Sequence, residues 1–258
     1  MITAGIDIGS LTAKAVVLKD GEIAGYSVMT AGSDITAAAA RVLSQALENA
    51  GCRQDDVSSI VSTGYGRAKV QAVKTVTEIT CDARGAHYLF PEAGMVIDIG
   101  GQDSKVIGLD SAGRVVDFAM NDKCAAGTGR FLEVMAHALE IDLDQLGPVS
   151  LKHKKPVVIS SMCTVFAESE VVSLIAEGCA REDILNGLHQ AIAARVVGMA
   201  QGLKLQKTVM LGGGVAKNVG VVKALEDRLK ARVKVPQEPQ ILAALGAALC
   251  AQEIAGKS

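Results

Sequence analysis

Two stretches decide the fold: Gly5-Ile6-Asp7-Ile8-Gly9-Ser10-Leu11-Thr12-Ala13-Lys14 and Val96-Ile97-Asp98-Ile99-Gly100-Gly101-Gln102-Asp103-Ser104-Lys105. Each has apolar residues, Asp, Ile, Gly, a small residue, then polar positions and Lys. Each therefore reads as an apolar strand that turns at glycine into a second strand. Such self-similarity predicts an internal duplication.

Working outward from the first copy, residues 2–8, Ala13–Leu18 and Ile23–Met29 read as a three-stranded meander with a hairpin turn at Asp20-Gly21. Helical periodicity over Ile35–Ala50 stops at Gly51. Ser59–Thr63 reads as a strand ending in Gly64-Tyr65-Gly66-Arg67, and Cys81–Leu89 as a helix stopped by Pro91. Around the second copy, Gly94–Ile99, Lys105–Leu109 and Val115–Met120 read as strands. Helices are expected over Gly129–Leu139, Val165–Glu177 and Ile184–Gln201. The strand Val209–Leu211 ends in three glycines, and Val219–Lys230, Val233–Val235 and Ile241–Ile254 close the chain as helix, strand and helix. The order β-β-β-α-β-α thus occurs twice. It predicts an α/β protein of two similar lobes facing each other across a cleft. The expected lobes are residues 1–92 and 93–258, with helix 241–254 free to pack back on the N-terminal lobe.

Composition fits that reading. Of 258 residues, 49% are hydrophobic and 21% charged, which excludes a disordered chain. The net charge of −2 gives no global attraction to nucleic acid or to anionic lipid. The start MITAGIDIGS has no basic segment ahead of an apolar one, and the longest apolar run, Ile241–Ala251, is too short to span a membrane. A cytoplasmic protein is expected. Aromatics at 3% and 27 glycines predict a core filled largely by small residues. In a reducing compartment the six cysteines are not expected as disulfides. Cys52, Cys81, Cys179 and Cys250 read as small buried hydrophobes.

The repeated element has a chemistry. Gly9 and Gly100-Gly101 let a hairpin turn bring backbone N–H groups to an anion, and Ser10, Thr12, Gln102 and Asp103 add polar side chains. Two such turns clamp a polyphosphate, with Asp7 and Asp98 holding Mg²⁺ through water. One copy alone is ordinary turn chemistry; two at corresponding points of a repeat are not. A third element, Val209-Met210-Leu211-Gly212-Gly213-Gly214-Val215-Ala216 with Asn218 behind it, offers bare backbone at a helix start for a flat ring or sugar.

Cys124 and Cys163 stand apart from the other cysteines, each in a small-residue loop just before a predicted helix, where the helix dipole favours a thiolate. Three readings fit: core cysteines, a reactive metal-free pair, or half of a four-thiolate cluster completed across a two-fold axis. Among lesser features, Arg67 reads as a phosphate contact or a plain turn residue, and His87, His137 and His189 as surface or satisfied histidines. Glu168 and Glu170 read as ordinary first-turn acids.

The two hairpins and the glycine run resemble the phosphate-1, phosphate-2 and adenosine motifs of the actin/Hsp70/sugar-kinase superfamily. That likeness implies two RNase-H-like lobes, with ATP or ADP and Mg²⁺ between them. The strings NDKCAAGTGRFLE, SSMCTVFAESEV, GGGVAKN and STGYGR resemble a narrower group. It comprises the ATP-dependent activators of 2-hydroxyacyl-CoA dehydratases, in a wider family with the ATPase subunits of benzoyl-CoA reductase. The resemblance runs from residue 2 to about 252. It implies a homodimer with one [4Fe–4S] cluster shared between subunits, ligated by Cys124 and Cys163 of each. It also implies ferredoxin or flavodoxin as donor and an iron–sulfur dehydratase or reductase component as acceptor. The roles it suggests are Asp7 and Asp98 at Mg²⁺-bound water, Gln102 or Asp103 at the attacking water, and Gly9, Ser10, Leu11, Thr12, Lys14, Gly100 and Gly101 at phosphates. Gly212, Gly213, Gly214, Ala216 and Asn218 fall at the adenosine. An iron-free actin-like sugar or small-molecule kinase is the competing expectation.

Overall fold

β1 (Ile2–Ile8) turns through Gly9 into β2 (Thr12–Lys19), which continues into β3 (Glu22–Thr30). The antiparallel register sets Asp7 opposite Lys14 and Ile8 opposite Ala13. Helix α1 (Ile35–Asn49) starts where Asp34 caps the Ala37 N–H and covers one face of this meander. Ala38, Val42, Ala46 and Leu47 of α1 share a core with Ile6, Ile8, Ala15 and Val17. β4 (Val57–Thr63) then runs parallel to β1, and a two-residue strand, β5 (Lys74–Thr75), lies outside it. Helix α2 (Glu78–Leu89) begins three residues ahead of Cys81, because Thr77 caps it and Glu78 favours its first turn.

The second repeat builds the same pattern. β6 (Met95–Ile99), β7 (Ser104–Leu109) and β8 (Val115–Asn121) form the meander, with Asp98 opposite Lys105 and Ile99 opposite Ser104. Helices α3 (Gly129–Leu139), α4 (Leu146–Ser150), α5 (Thr164–Ala176) and α6 (Arg181–Met199) follow, then β9 (Thr208–Gly212), α7 (Val219–Leu229), β10 (Arg232–Lys234) and α8 (Leu242–Ala255). β9 is parallel to β6, and β10 is parallel to β9. The sheets read β3-β2-β1-β4-β5 and β8-β7-β6-β9-β10, the same order of meander and parallel strands. The computed structural model describes residues 1–161, 163–203 and 208–257, so Met162 of the second cysteine string lies outside the described residues.

Two compact units result. One comprises Met1–Ala93, Leu109–Val116 and Pro236–Ser258; the other comprises Gly94–Gly108 and Asp117–Val235. The final helix accordingly belongs to the first unit, whereas a simple cut at residue 93 assigns it to the second. Its sequence LAALGAALCAQEIA explains the placement: small residues let α8 lie directly on β1. A Cβ added at Gly5 would stand 2.0 Å from the Ala244 carbonyl oxygen. Val16, Leu18, Ala244, Leu245 and Ala248 pack together on that face. In the second unit, Phe131, Met135 and Leu139 of α3 join Ile97, Ile99, Val171, Ile184 and Leu211 in one core. Among the described residues no helix is long and apolar enough to cross a membrane.

Candidate functional site

Each hairpin turn is closed by the same backbone bond. The Gly9 N–H donates to the Thr12 carbonyl, and the Gly100 N–H to the Asp103 carbonyl, both at 3.0 Å. Behind each turn lies an Asp–Lys pair. Lys14 Nζ reaches Asp7 Oδ2 at 2.9 Å, with the carboxylate side chain 7% exposed. Lys105, only 3% exposed, bridges Asp98 at 3.1 Å and Asp103 at 2.6 Å. Buried carboxylates need such partners, because an unpaired charge away from water is costly. Ser10 and Gln102 are exposed at the tips; Gly9, Leu11, Thr12, Gly101 and Asp103 are half-buried. Thus Asp7 with Lys14 gathers in the first unit, and Asp98, Asp103 and Lys105 gather in the second.

The strand parallel to each hairpin also ends alike. Thr63 is the register partner of Asp7 on β4, and Gly212 that of Asp98 on β9. The next residues, Gly64 at φ +92° and Gly213 at φ +80°, both take the left-handed conformation. A Cβ at Gly64 would meet Asp7 Oδ1 and the Ile8 carbonyl oxygen at 2.4 Å. At Gly213 it would meet the Ile99 carbonyl oxygen at 2.2 Å and Asp98 Oδ1 at 2.9 Å. The loop Gly64-Tyr65-Gly66-Arg67 is therefore the first unit's counterpart of the glycine run at Gly212–Gly214. Arg67 donates from Nη1 to the Gly64 carbonyl at 3.0 Å and so braces this turn.

Gly214 is exposed at the second of these turns and Ala216 is buried. Asn218 caps α7: its Oδ1 accepts from the N–H groups of Gly220 and Val221, and its Nδ2 lies 3.2 Å from His189 Nε2. His189 Nδ1 in turn lies 3.0 Å from Ser150 Oγ. Burial pushes the His189 imidazole down to about 4, so the neutral ring fits this place. His189 is satisfied, as its sequence setting suggests. Its role in holding the Asn218 cap is not visible locally, since the three residues come from α4, α6 and α7.

The two cysteine arms differ. Cys124 and Cys163 are both exposed, whereas Cys81 and Cys250 are buried and Cys52 and Cys179 partly so. Asn121 Nδ2 donates to the Cys124 carbonyl at 2.8 Å, and the Thr128 hydroxyl donates to the Ala125 carbonyl at 2.6 Å. The loop then meets the second hairpin. The Gly129 N–H donates to the Gly100 carbonyl at 2.9 Å, the Arg130 N–H to the Gly101 carbonyl at 2.8 Å, and Ser104 Oγ to the Gly127 carbonyl at 3.1 Å. Cys163 is the N-cap residue of α5, its carbonyl accepting from the Ala167 N–H at 2.8 Å. Glu170, about two turns past Cys163, accepts from the N–H groups of Ser160 and Ser161. Burial raises the Glu170 carboxyl, but these bonds and the Ser160 hydroxyl outweigh it and hold it below its usual range. Glu170 lies in the second turn of α5, not the first, and ties the segment ahead of Cys163 to that helix. Cys81 and Cys250, ordinary in sequence, are hydrogen-bonded to each other, which raises the first thiol and lowers the second.

Among the described residues, no group of three or more His, Cys, Asp or Glu side chains converges as a metal site. Two exposed thiols in one chain fit half of a four-thiolate set. Asp7 and Asp98, each already paired with a lysine, fit water-mediated rather than direct contact with Mg²⁺.

Two meanders, each with an Asp–Lys hairpin and a left-handed glycine turn beside it, define a duplicated α/β protein. The chain belongs to the BadF/BadG/BcrA/BcrD ATPase family, whose profile matches residues 4–251. It is 48% identical to the activator of lactoyl-CoA dehydratase from Anaerotignum propionicum, over 100% of both chains. It superposes on component A of (R)-2-hydroxyglutaryl-CoA dehydratase from Acidaminococcus fermentans with a TM-score of 0.96, at 46% identity and 99% of each chain. The activator of the 2-hydroxyisocaproyl-CoA dehydratase from Clostridium difficile, solved with bound ADPNP, gives a TM-score of 0.94 at 44% identity, over 100% of this chain and 96% of that one.

Proposed function

We propose that this ATPase is the electron-transfer component of a two-component system. It takes a single low-potential electron from ferredoxin or flavodoxin and delivers it, at the expense of ATP, to a partner iron–sulfur enzyme. The partner would be a 2-hydroxyacyl-CoA dehydratase or a related reductase, in keeping with the relatives' names. The observation that carries the reading is the pair of exposed thiols, Cys124 and Cys163, on arms leading into α3 and α5. A second copy of the chain completes the ligand set, so the working unit is a homodimer with one [4Fe–4S] cluster. When bound, that cluster supplies a one-electron redox couple.

ATP would be held at its phosphates by Gly9, Ser10, Leu11, Thr12 and Lys14 and by Gly100, Gly101 and Gln102. Asp7 and Asp98 orient the water shell of Mg²⁺. Asp103 or Gln102 places the attacking water, since phosphoryl transfer asks mainly for positioning and charge stabilisation. Gly212, Gly213, Gly214 and Ala216 form the adenosine turn, and Asn218 keeps it in shape by capping α7. Anaerobic purification tests the reading. The protein should be brown, hydrolyse ATP and lose its visible absorption on adding dithionite. A colourless dimer that phosphorylates a sugar would instead support the iron-free kinase.

A further inference from the structure

The duplication supplies an internal control. Ser104 and Ala13 occupy the same register position, opposite Ile99 and Ile8 at the first residue after each Asp–Lys turn's tip. Ala13 has no hydroxyl. Ser104, 1% exposed, donates its hydroxyl to the Gly127 carbonyl at 3.1 Å. Gly127 stands at φ +81° three residues after Cys124, in the loop that Asn121 holds through the Cys124 carbonyl. The Gly129 and Arg130 N–H groups complete the link to the Gly100 and Gly101 carbonyls. The hydrogen bonds described for the other arm run to its own helix, through Glu170 and Ala167.

We propose that Ser104 is a positioning residue that transmits the state of the Gly100–Asp103 turn to Cys124, so that bound nucleotide is read out at the Cys124 arm before the Cys163 arm. The proposal rests on the reading that this turn holds ATP phosphate. A triphosphate that draws the turn toward itself displaces three hydrogen-bond partners of the loop at once: two backbone carbonyls and the Ser104 hydroxyl. Of these bonds, the hydroxyl's is the one a substitution removes while leaving the backbone unchanged.

The test compares wild type, Ser104→Ala and Ser104→Thr. Iron-free protein is exposed to iodoacetamide with ADP or with a non-hydrolysable ATP analogue, each with Mg²⁺, and alkylation of Cys124 and Cys163 is followed by peptide mass spectrometry. The wild type should show at least a fivefold difference in Cys124 rate between the two nucleotides, with a smaller difference at Cys163. Ser104→Ala should reduce the Cys124 ratio to within twofold of one while ATP hydrolysis stays within twofold of wild type. Ser104→Thr should restore the ratio. A Ser104→Ala protein with the full nucleotide ratio would overturn the proposal, as would a wild type whose nucleotide response lies wholly at Cys163. Iron is determined separately on as-isolated protein. An iron-free wild type with an intact Cys124 ratio would overturn the cluster reading and leave this one standing.

Discussion

The two hairpins begin from nearly the same sequence and end in different company. At the first, Asp7 has one lysine, Lys14, and the turn stands against Gly64. At the second, Lys105 holds both Asp98 and Asp103, Gly213 stands behind, and the turn carbonyls accept from the start of α3. Duplication preserved the hairpin geometry, down to matched register and matched left-handed glycines. In the second copy, hydrogen bonds run from the turn into the loop that carries Cys124. On the function proposed above, sensing nucleotide and reporting it are separable: both copies suit the first task, and the second is connected to the Cys124 loop.

The matched glycines give the largest expected effects. Gly64→Ala and Gly213→Ala each force a Cβ into backbone at a positive φ, so each should lose more than about 3 kcal/mol in urea unfolding. A near-neutral Gly64→Ala would break the equivalence of the two turns. The lysines sharpen the contrast. Lys105→Met leaves two carboxylates without their shared cation and should cost about 3–5 kcal/mol. Lys14→Met leaves one and should cost clearly less; equal losses would contradict the distinction.

His189 tests the anchor behind the second glycine turn. Its folded pKa of about 4 lies below the ordinary 6.5, so the unfolded chain binds the proton first as pH falls. Stability should therefore be flat above pH 6.5 and decline by about 3 kcal/mol between pH 6.5 and 4. His189→Gln should flatten that decline; an unchanged profile would remove His189 from the account. The smallest effect belongs to the other arm. Glu170→Gln weakens the bonds to Ser160 and Ser161 and should cost about 1 kcal/mol while leaving the Cys124 nucleotide response intact. Unfolding and alkylation rates measured together check both parts.

Much of this is legible in the sequence. The repeated Asp-Ile-Gly strings announce the two meanders, and Gly51 and Pro91 mark the ends of the first two helices. What stayed hidden depended on partners distant in sequence. The likeness of Gly64 to Gly213 shows only when β4 and β9 are seen beside β1 and β6, because their local sequences share little beyond glycine. The sequence leaves open where helix 241–254 packs, and the close approach of α8 at Gly5 decides it for the first sheet. The Cys81–Cys250 contact and the Ser150–His189–Asn218 chain join separate elements, so nothing local signals them. β5 and α4, of two and five residues, are too short to carry a period of their own.

The central claim is that Cys124 and Cys163 form half of a shared site. Native mass spectrometry of the anaerobically purified protein tests it most directly. The account predicts a species of two chains carrying about four irons and four sulfides, reduced to iron-free chains by Cys163→Ser. A Cys163→Ser dimer that keeps its full iron complement, or a wild type that holds no iron, would contradict it.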